Sequence, residues 1–340
     1  MSESTEDLQM RNTGMIYALG ELLIDMIPTE TGKLISEPGS VLKTVSGSAG
    51  IFACAAGLLG GKSGFIGKIG RDSLSQLAVK VMREQGVDLK NLTVSDSGQI
   101  GIAFLEYAPD GRHYQYYRNR SVGSLLSAED LDEEKLSGAF CVHYPGMLLE
   151  LTEEMRGACG RLVSIAHKKG IPVSFDPNIR VEMIARREAM DRIRCAVAGA
   201  DMIAPTLAEA KMITGRERIP EVLEELHRMG PSTVAITMDE NGALISREGL
   251  VAVAEGIQVE AVDPTGAGDT FAAAMCVGLR ENMPAEKLAA FCNAAGALAV
   301  KRRGAIGLAL PTRAETEALM ASGACRVRVM PKERFDAEEE

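Results

Sequence analysis

The sequence predicts an α/β domain built on a mostly parallel sheet, with a small β-lid set into it. Three observations carry this. Helix and strand patterns alternate along most of the chain, as expected for a sheet whose strands are joined through covering helices. At 340 residues, with 46% hydrophobic and 25% charged side chains, there is length and apolar content for a sizeable core. One stretch breaks the rhythm with a tyrosine-rich hairpin pattern.

Residues 15–20 are a short apolar run ending in Gly20, read as a buried first strand. Residues 49–59 are small and apolar, a buried helix ended by Gly60-Gly61. Residues 63–69 read as the next strand, and 72–85 as an amphipathic helix ending at Gly86. Residues 100–108 alternate, Pro109-Asp110-Gly111 signals a turn, and 113–118 return. Tyr107, Tyr114, Tyr116 and Tyr117 fall here. With strands from about 22–45 this hairpin makes a lid; alone it is an ordinary edge hairpin. Alternation then resumes: helices at 152–169, 186–198, 207–214 and 220–229, strands at 172–175, 202–204 and 234–237. Last come a β-like run, 256–262, and a small-residue helix, about 269–278. There is no internal repeat or linker, so the lid is an insertion in one domain spanning 15–313, with lid strands within 22–45 and 98–120. Residues 1–14 and 330–340, the latter ending in an acidic run from Phe335 to Glu340, are expected to be flexible ends.

The formal charge is −10 and no basic stripe is present, which argues against a nucleic-acid partner. No run approaches the ~20 apolar residues of a membrane span. The seven cysteines, Cys54, Cys141, Cys159, Cys195, Cys276, Cys292 and Cys325, form no CxxC pair. Odd in number and mostly among apolar neighbours, they read as free thiols of a reducing cytoplasm. The N-terminus lacks the basic start and apolar run of a signal peptide. His113, His143, His167 and His227 have no ligand spacing.

The strongest chemical signal is Asp263-Pro264-Thr265-Gly266-Ala267-Gly268-Asp269-Thr270-Phe271. Glycine-rich backbone at a helix N-terminus presents unpaired N–H groups and a positive dipole end, which suits a phosphate. Asp269, in the first turn, is placed to take a proton from an alcohol attacking phosphorus; alternatively it caps the helix. Two look-alikes fail on order. Ala56 to Ser63 approximates GxxxxGK[ST], but Ala56 stands for the first glycine and the helix comes before the strand, leaving Lys62 a solvated residue. Gly266 to Phe271 begins like GxGxxG, but it ends in Phe271 and lies far from the N-terminus.

The 263–271 segment closely resembles the C-terminal signature of the ribokinase-like, or PfkB, carbohydrate kinases. Gly60 to Asp72 resembles their N-terminal signature, and Gly20-Glu21-Leu22-Leu23-Ile24-Asp25 the opening of the fructokinase branch. Asp176-Pro177-Asn178-Ile179-Arg180 fits a DxNxR element, and Lys301-Arg302-Arg303-Gly304-Ala305 fits the segment near the C-terminus. The resemblance covers about 15–313. It implies a ribokinase-like three-layer sandwich and ATP-dependent phosphorylation of a hydroxyl on a ketose or 2-keto-3-deoxyaldonate. It makes Asp269 the base, with Gly266, Ala267, Gly268 and Asp269 lending N–H groups to the γ-phosphate. It places Asp25, Gly47, Ser48, Tyr116, Arg118, Asn178 and Arg180 around the sugar. Thr206, Glu209, Thr237, Asp239, Gly242 and Asn293 go to the nucleotide, with Mg²⁺ held through water by Glu209. Asp263 and Thr265, with backbone of Ala299, Arg302 and Gly304, match a monovalent-cation (K⁺) site. The lid tyrosines are expected to pair with a second subunit's lid, giving a homodimer.

Three positions depart from the family pattern. Ile51 and Thr206 stand where Asn is usual, and Asp239 where Gly lets backbone approach the nucleotide. These departures leave open a sugar- or nucleotide-binding member with little catalysis; a nucleoside kinase of the same family is a further alternative. Arg118 and Arg180 suit a carboxylate through their planar forks, though fructokinases carry an Arg here too, and Arg118 also reads as a solvated strand residue.

Overall fold

A computed structural model describes residues 13–30, 34–108, 111–180, 187–307 and 309–338. The chain opens with β1 (Ile16–Leu19), β2 (Leu23–Pro28) and β3 (Val41–Ser46), then α1 (Ser48–Leu58), β4 (Ser63–Ile69) and α2 (Ser73–Glu84). Next come β5 (Asp88–Val94), the hairpin β6 (Gly101–Ala108) and β7 (Gly111–Tyr117), β8 (Cys141–Pro145) and α3 (Glu153–Lys169). Then follow β9 (Val173–Asp176), α4 (Arg187–Ala198), β10 (Met202–Ile203), α5 (Leu207–Thr214), α6 (Ile219–Met229) and β11 (Thr233–Thr237). The rest is β12 (Gly242–Arg247), β13 (Leu250–Glu255), α7 (Ala267–Arg280), α8 (Ala285–Ala299), α9 (Arg313–Ala321), β14 (Val327–Pro331) and α10 (Lys332–Glu338).

Ten strands form one sheet in the order β14-β13-β12-β11-β10-β9-β8-β1-β4-β5. The pairs from β11 through to β5 are parallel, and β11–β12, β12–β13 and β13–β14 are antiparallel. Strand alternation divides the core. Ile16, Ala18 and Ala235 face a layer made with α1, α2, α7, α8 and α9. Tyr17, Leu19, Val234 and Ile236 face the opposite layer, made with α3 to α6 and α10. This is the three-layer sandwich that the alternation implies. The four-stranded lid, β3-β2-β6-β7, stands off it, with β2–β6 parallel and its outer pairs antiparallel. The turn residues Pro109 and Asp110 lie outside the described residues.

The helix boundaries follow local chemistry. The Asp72 carboxylate accepts from the N–H groups of Leu74 and Ser75 and starts α2; Thr152 does the same for α3 through Met155 N–H. Gly170, in the left-handed conformation at φ 63°, ends α3. The P-loop look-alike is a helix running into a strand, α1 then β4, with Lys62 exposed.

Two expectations are corrected. Residues 256–262 are not a strand: β13 stops at Glu255, and the segment beyond it has no ladder partner. Ile257, Gln258, Val259 and Ala261 line a cleft rather than a sheet layer. Residues 330–338 are not a frayed end either. Met330 lies in β14, and Phe335, 5% exposed, anchors α10 against the core. Two apolar anchors outweigh the acidic run that follows them. Residues 1–12 lie outside the described residues.

Candidate active site

The chain runs from β1 to β4 and β5 on one side and returns at β8 on the other. The order of winding therefore reverses at β1, where an open parallel sheet leaves a crevice beyond its strand ends. A cleft of about 760 Å³ lies there, with Ser46, Gly47 and Met147 on its wall.

Gly47 carries φ 111°, and a Cβ on it would fall 2.4 Å from the Glu21 carbonyl oxygen. Only glycine lets the chain leave β3 at this angle, and the turn delivers Ser48 as the first residue of α1. On the facing side Gly266, at φ 80°, is the N-cap of α7 and provides no side-chain cap. The first intrahelical bond runs from Thr270 N–H to Gly266 C=O, so the preceding N–H groups have no such partner. Ala267 N–H turns back weakly to Pro264 C=O at 3.3 Å. The loop is fixed from behind. Asp263, fully buried, accepts from Thr265 N–H at 3.0 Å and Thr265 Oγ1 at 2.7 Å, and its other oxygen accepts from Gly304 N–H at 3.1 Å.

Asp269 is the third residue of α7 and is 8% exposed. It does not cap the helix: Ser48 Oγ donates to its Oδ1, and Asn178 Nδ2 donates to Ser48 Oγ at 3.2 Å. Burial pushes the Asp269 carboxyl up to about 6, against the lowering pull of Ser48 and the Arg180 guanidinium. Asp176, 5% exposed at the end of β9, stands far above the ordinary carboxylate range, through burial and the charges of Glu209 and Asp269. Its Oδ1 accepts from Asn178 N–H at 3.0 Å, holding Asn178 at φ 40°, a conformation that asparagine tolerates. Nearby, Arg180 places a buried Nε–H that meets no acceptor among the described residues.

Of the expected sugar residues, Asp25, Gly47, Ser48, Tyr116, Asn178 and Arg180 line the cleft. Arg118 does not. Its Nη1 donates to Glu21 Oε1 at 2.7 Å and its guanidinium lies 4.1 Å over the Tyr116 ring, so its charge is neutralised at the base of the lid. Of the expected nucleotide residues, Thr206, Glu209, Thr237, Asp239, Gly242 and Asn293 all line the cleft. Asp263, Ala299, Arg302 and Gly304 lie behind its wall, and Arg302 pairs with Glu315. Sequence reasoning assigned no role to Asp176, although the DxNxR pattern contained it. It missed Tyr114 as well, which reaches Thr265 Oγ1 at 3.4 Å from the lid.

The three departures each find a local role. Ile51 packs its Cγ2 3.0 Å from where a Gly266 Cβ would sit, an apolar floor under the loop. Thr206 caps α5: its Oγ1 accepts from Glu209 N–H, while Glu209 Oε2 accepts from Thr206 N–H and Oγ1. The other Glu209 oxygen accepts from Ile179 N–H at 2.6 Å. Asp239 takes φ 50°, a left-handed backbone that glycine adopts freely and aspartate tolerates, with its side chain exposed.

Comparison with known proteins agrees with this geometry. The family model for pfkB family carbohydrate kinases matches residues 13–313. Fructokinase-2 of Solanum lycopersicum is 30% identical over 323 residues, covering 92% of this chain and 98% of its own. A candidate Ribokinase II from E. coli, solved in complex with ATP and Mg²⁺, superposes with TM-score 0.85 at 27% identity, covering 91% of this chain and 99% of its own. The 2-dehydro-3-deoxygluconokinase of Thermotoga maritima shares the fold at TM-score 0.84 and 24% identity, covering 91% and 98%. A cleft at the sheet's switch point, roofed by a lid and closed by a glycine loop on a helix N-terminus, is what such a kinase needs, and the chain belongs to the pfkB family of carbohydrate kinases as an ATP-dependent sugar kinase.

Proposed function

We propose that Asp269 is the general base of the phosphoryl transfer. One observation carries this reading above the others: a buried carboxylate in the first turn of α7, immediately after the uncapped glycine loop and facing the cleft. The substrate hydroxyl oxygen bonds to the γ-phosphorus while the bond from that phosphorus to the β,γ-bridging oxygen breaks. The hydroxyl proton passes to Asp269, and ADP leaves with the bridging oxygen. Charge on the transferring group meets the N–H groups at the start of α7 and the positive end of its dipole. The apolar stretch Ile257, Val259 and Ala261 and the amide of Asn293 suit an adenine at the other end of the cleft.

A divalent ion fits the carboxylates present, because the buried Asp176 carboxylate stands beside the charge of Glu209. Among the described residues no group of three or more His, Cys, Asp or Glu is arranged to hold a metal. Glu209, through water, and Asp176 are the residues that would hold Mg²⁺ beside the phosphates, where it would supply charge neutralisation. The buried Asp263 carboxylate fits K⁺ behind the loop. For the sugar, the Arg180 Nε–H, which meets no acceptor among the described residues, favours a substrate carboxylate, hence a 2-keto-3-deoxyaldonate, over a neutral ketose. The exposed lid face, with Tyr117 at 60%, is the proposed dimer surface.

The test is ADP release with Mg-ATP and K⁺ across ketoses, aldonates and nucleosides. One substrate class should stand out, and Asp269→Asn should lower kcat by about 10³-fold or more with the fold intact. Near-normal turnover by that variant would sink the assignment of the base, and a nucleoside preference would replace the sugar reading.

A further inference from the structure

Ser48 stands where the resemblance places a sugar contact, but its hydrogen bonds run elsewhere. A hydroxyl has one proton to give. Asn178 Nδ2 donates into Ser48 Oγ at 3.2 Å, and the Ser48 proton goes to Asp269 Oδ1. Asn178 is itself immobilised through Asp176 Oδ1, at 3.0 Å. The chain of bonds joins three separate segments: the loop after β9, the first residue of α1 and the first turn of α7. Among the described residues only Ser48 donates a hydrogen bond to the Asp269 carboxylate.

We propose that Ser48 is a positioning residue for phosphoryl transfer, its hydroxyl clamping Oδ1 of Asp269 so that Oδ2 is the oxygen that takes the substrate proton. This rests on Asp269 being the base. A carboxylate with one oxygen tied cannot rotate about its Cβ–Cγ bond without breaking a charge-assisted bond, so Oδ2 stays aimed at the cleft between turnovers. The donated bond also favours the charged, proton-accepting form of a carboxylate that burial disfavours. The other charged groups about it are Arg180, which acts in the same sense, and the buried carboxylate Asp176, which has Glu209 as a further acidic neighbour. Asp25 lines the same cleft from the lid.

The experiment is the pH dependence of kcat and kcat/KM with the preferred sugar for Ser48→Ala, Ser48→Thr and Asn178→Ala, beside Asp269→Asn. Ser48→Ala should lower kcat at neutral pH about tenfold, from the loss of one hydrogen bond to a charged group. It should move the acid limb upward by about half a pH unit or more, with the sugar KM within about twofold. Ser48→Thr, which keeps a hydroxyl, should recover most of both. If Ser48→Ala does not fold, Asn178→Ala carries the test, because it leaves the Ser48 hydroxyl free to turn away. An unmoved acid limb with unchanged kcat overturns the clamp, as does a raised KM alone, which would make Ser48 a sugar contact. Activity surviving in Asp269→Asn would instead overturn the assignment of the base, so the two failures are distinguishable.

Discussion

Holding Asp269 out of water is a stability liability at the pH where the proposed base has to be charged. Its carboxyl binds a proton more tightly folded, at about 6, than at its ordinary 3.8. The stability associated with that proton is fully present below about pH 4 and is lost as pH rises through about 6. The difference corresponds to about 3 kcal/mol, an upper figure. Asp269→Asn removes the charge and keeps an acceptor for Ser48. The variant should therefore match the parent in denaturant unfolding near pH 4 and exceed it by up to about 3 kcal/mol near pH 8. A gap that does not change with pH would show that burial of this charge is not what burdens the fold. Asp176, shifted in the same direction by burial and by the charges of Glu209 and Asp269, loses one of those charges in the variant, so its relief adds to the gap at high pH in the same sense.

At the scale of elements, the lid depends on how its strands enter and leave the sandwich. Glu21 lies between β1 and β2, and Arg118 directly follows β7. Their side chains are 3% and 10% exposed, the ion pair closes at 2.7 Å, and Ser121 Oγ donates to the second Glu21 oxygen at 3.1 Å. Burial still raises the Glu21 carboxyl above its usual range despite Arg118. Removing one partner leaves a buried charge unpaired, so Glu21→Gln or Arg118→Met should each destabilise by about 3–5 kcal/mol, and the double variant by much less than the sum. Additive losses in chemical unfolding would show the pair to be uncoupled. The hairpin carrying Arg118 was legible because its alternation and turn residues are local. The partner of Arg118 was not, because 97 residues separate the two side chains and no local pattern records such a pairing. The same limit hid the Ser48–Asp269 bond, which spans 221 residues, although both residues had been picked out for separate reasons. Asp269 itself was legible because its glycines, helix start and carboxylate sit within one short stretch.

For the whole molecule, the sandwich extends past the region that resembles the family. The match ends at residue 313, yet the sheet continues through β14, which pairs along β13 from Leu250↔Pro331 to Ala254↔Val327. Helix α10 then docks through Phe335. An acidic terminus dominated the reading of this stretch by composition, whereas two buried side chains, Met330 and Phe335, decide its structure. The edge also reaches the site. Glu255 N–H donates to Arg326 C=O at 3.0 Å, and the Glu255 carbonyl accepts from Asn293 Nδ2 at 2.8 Å, so the last strand steadies an amide on the cleft wall. A chain ending at residue 325 would lose the burial of Met330 and Phe335, about 1.5–3 kcal/mol each, and would leave β13 as an open edge. It should melt at lower temperature and aggregate more readily, and its KM for ATP should rise more than its KM for sugar, because Asn293 loses its support while Asp25 and Arg180 do not. Equal changes in both constants would mean that the terminal strand stabilises the fold without supporting the end of the cleft proposed for the nucleotide.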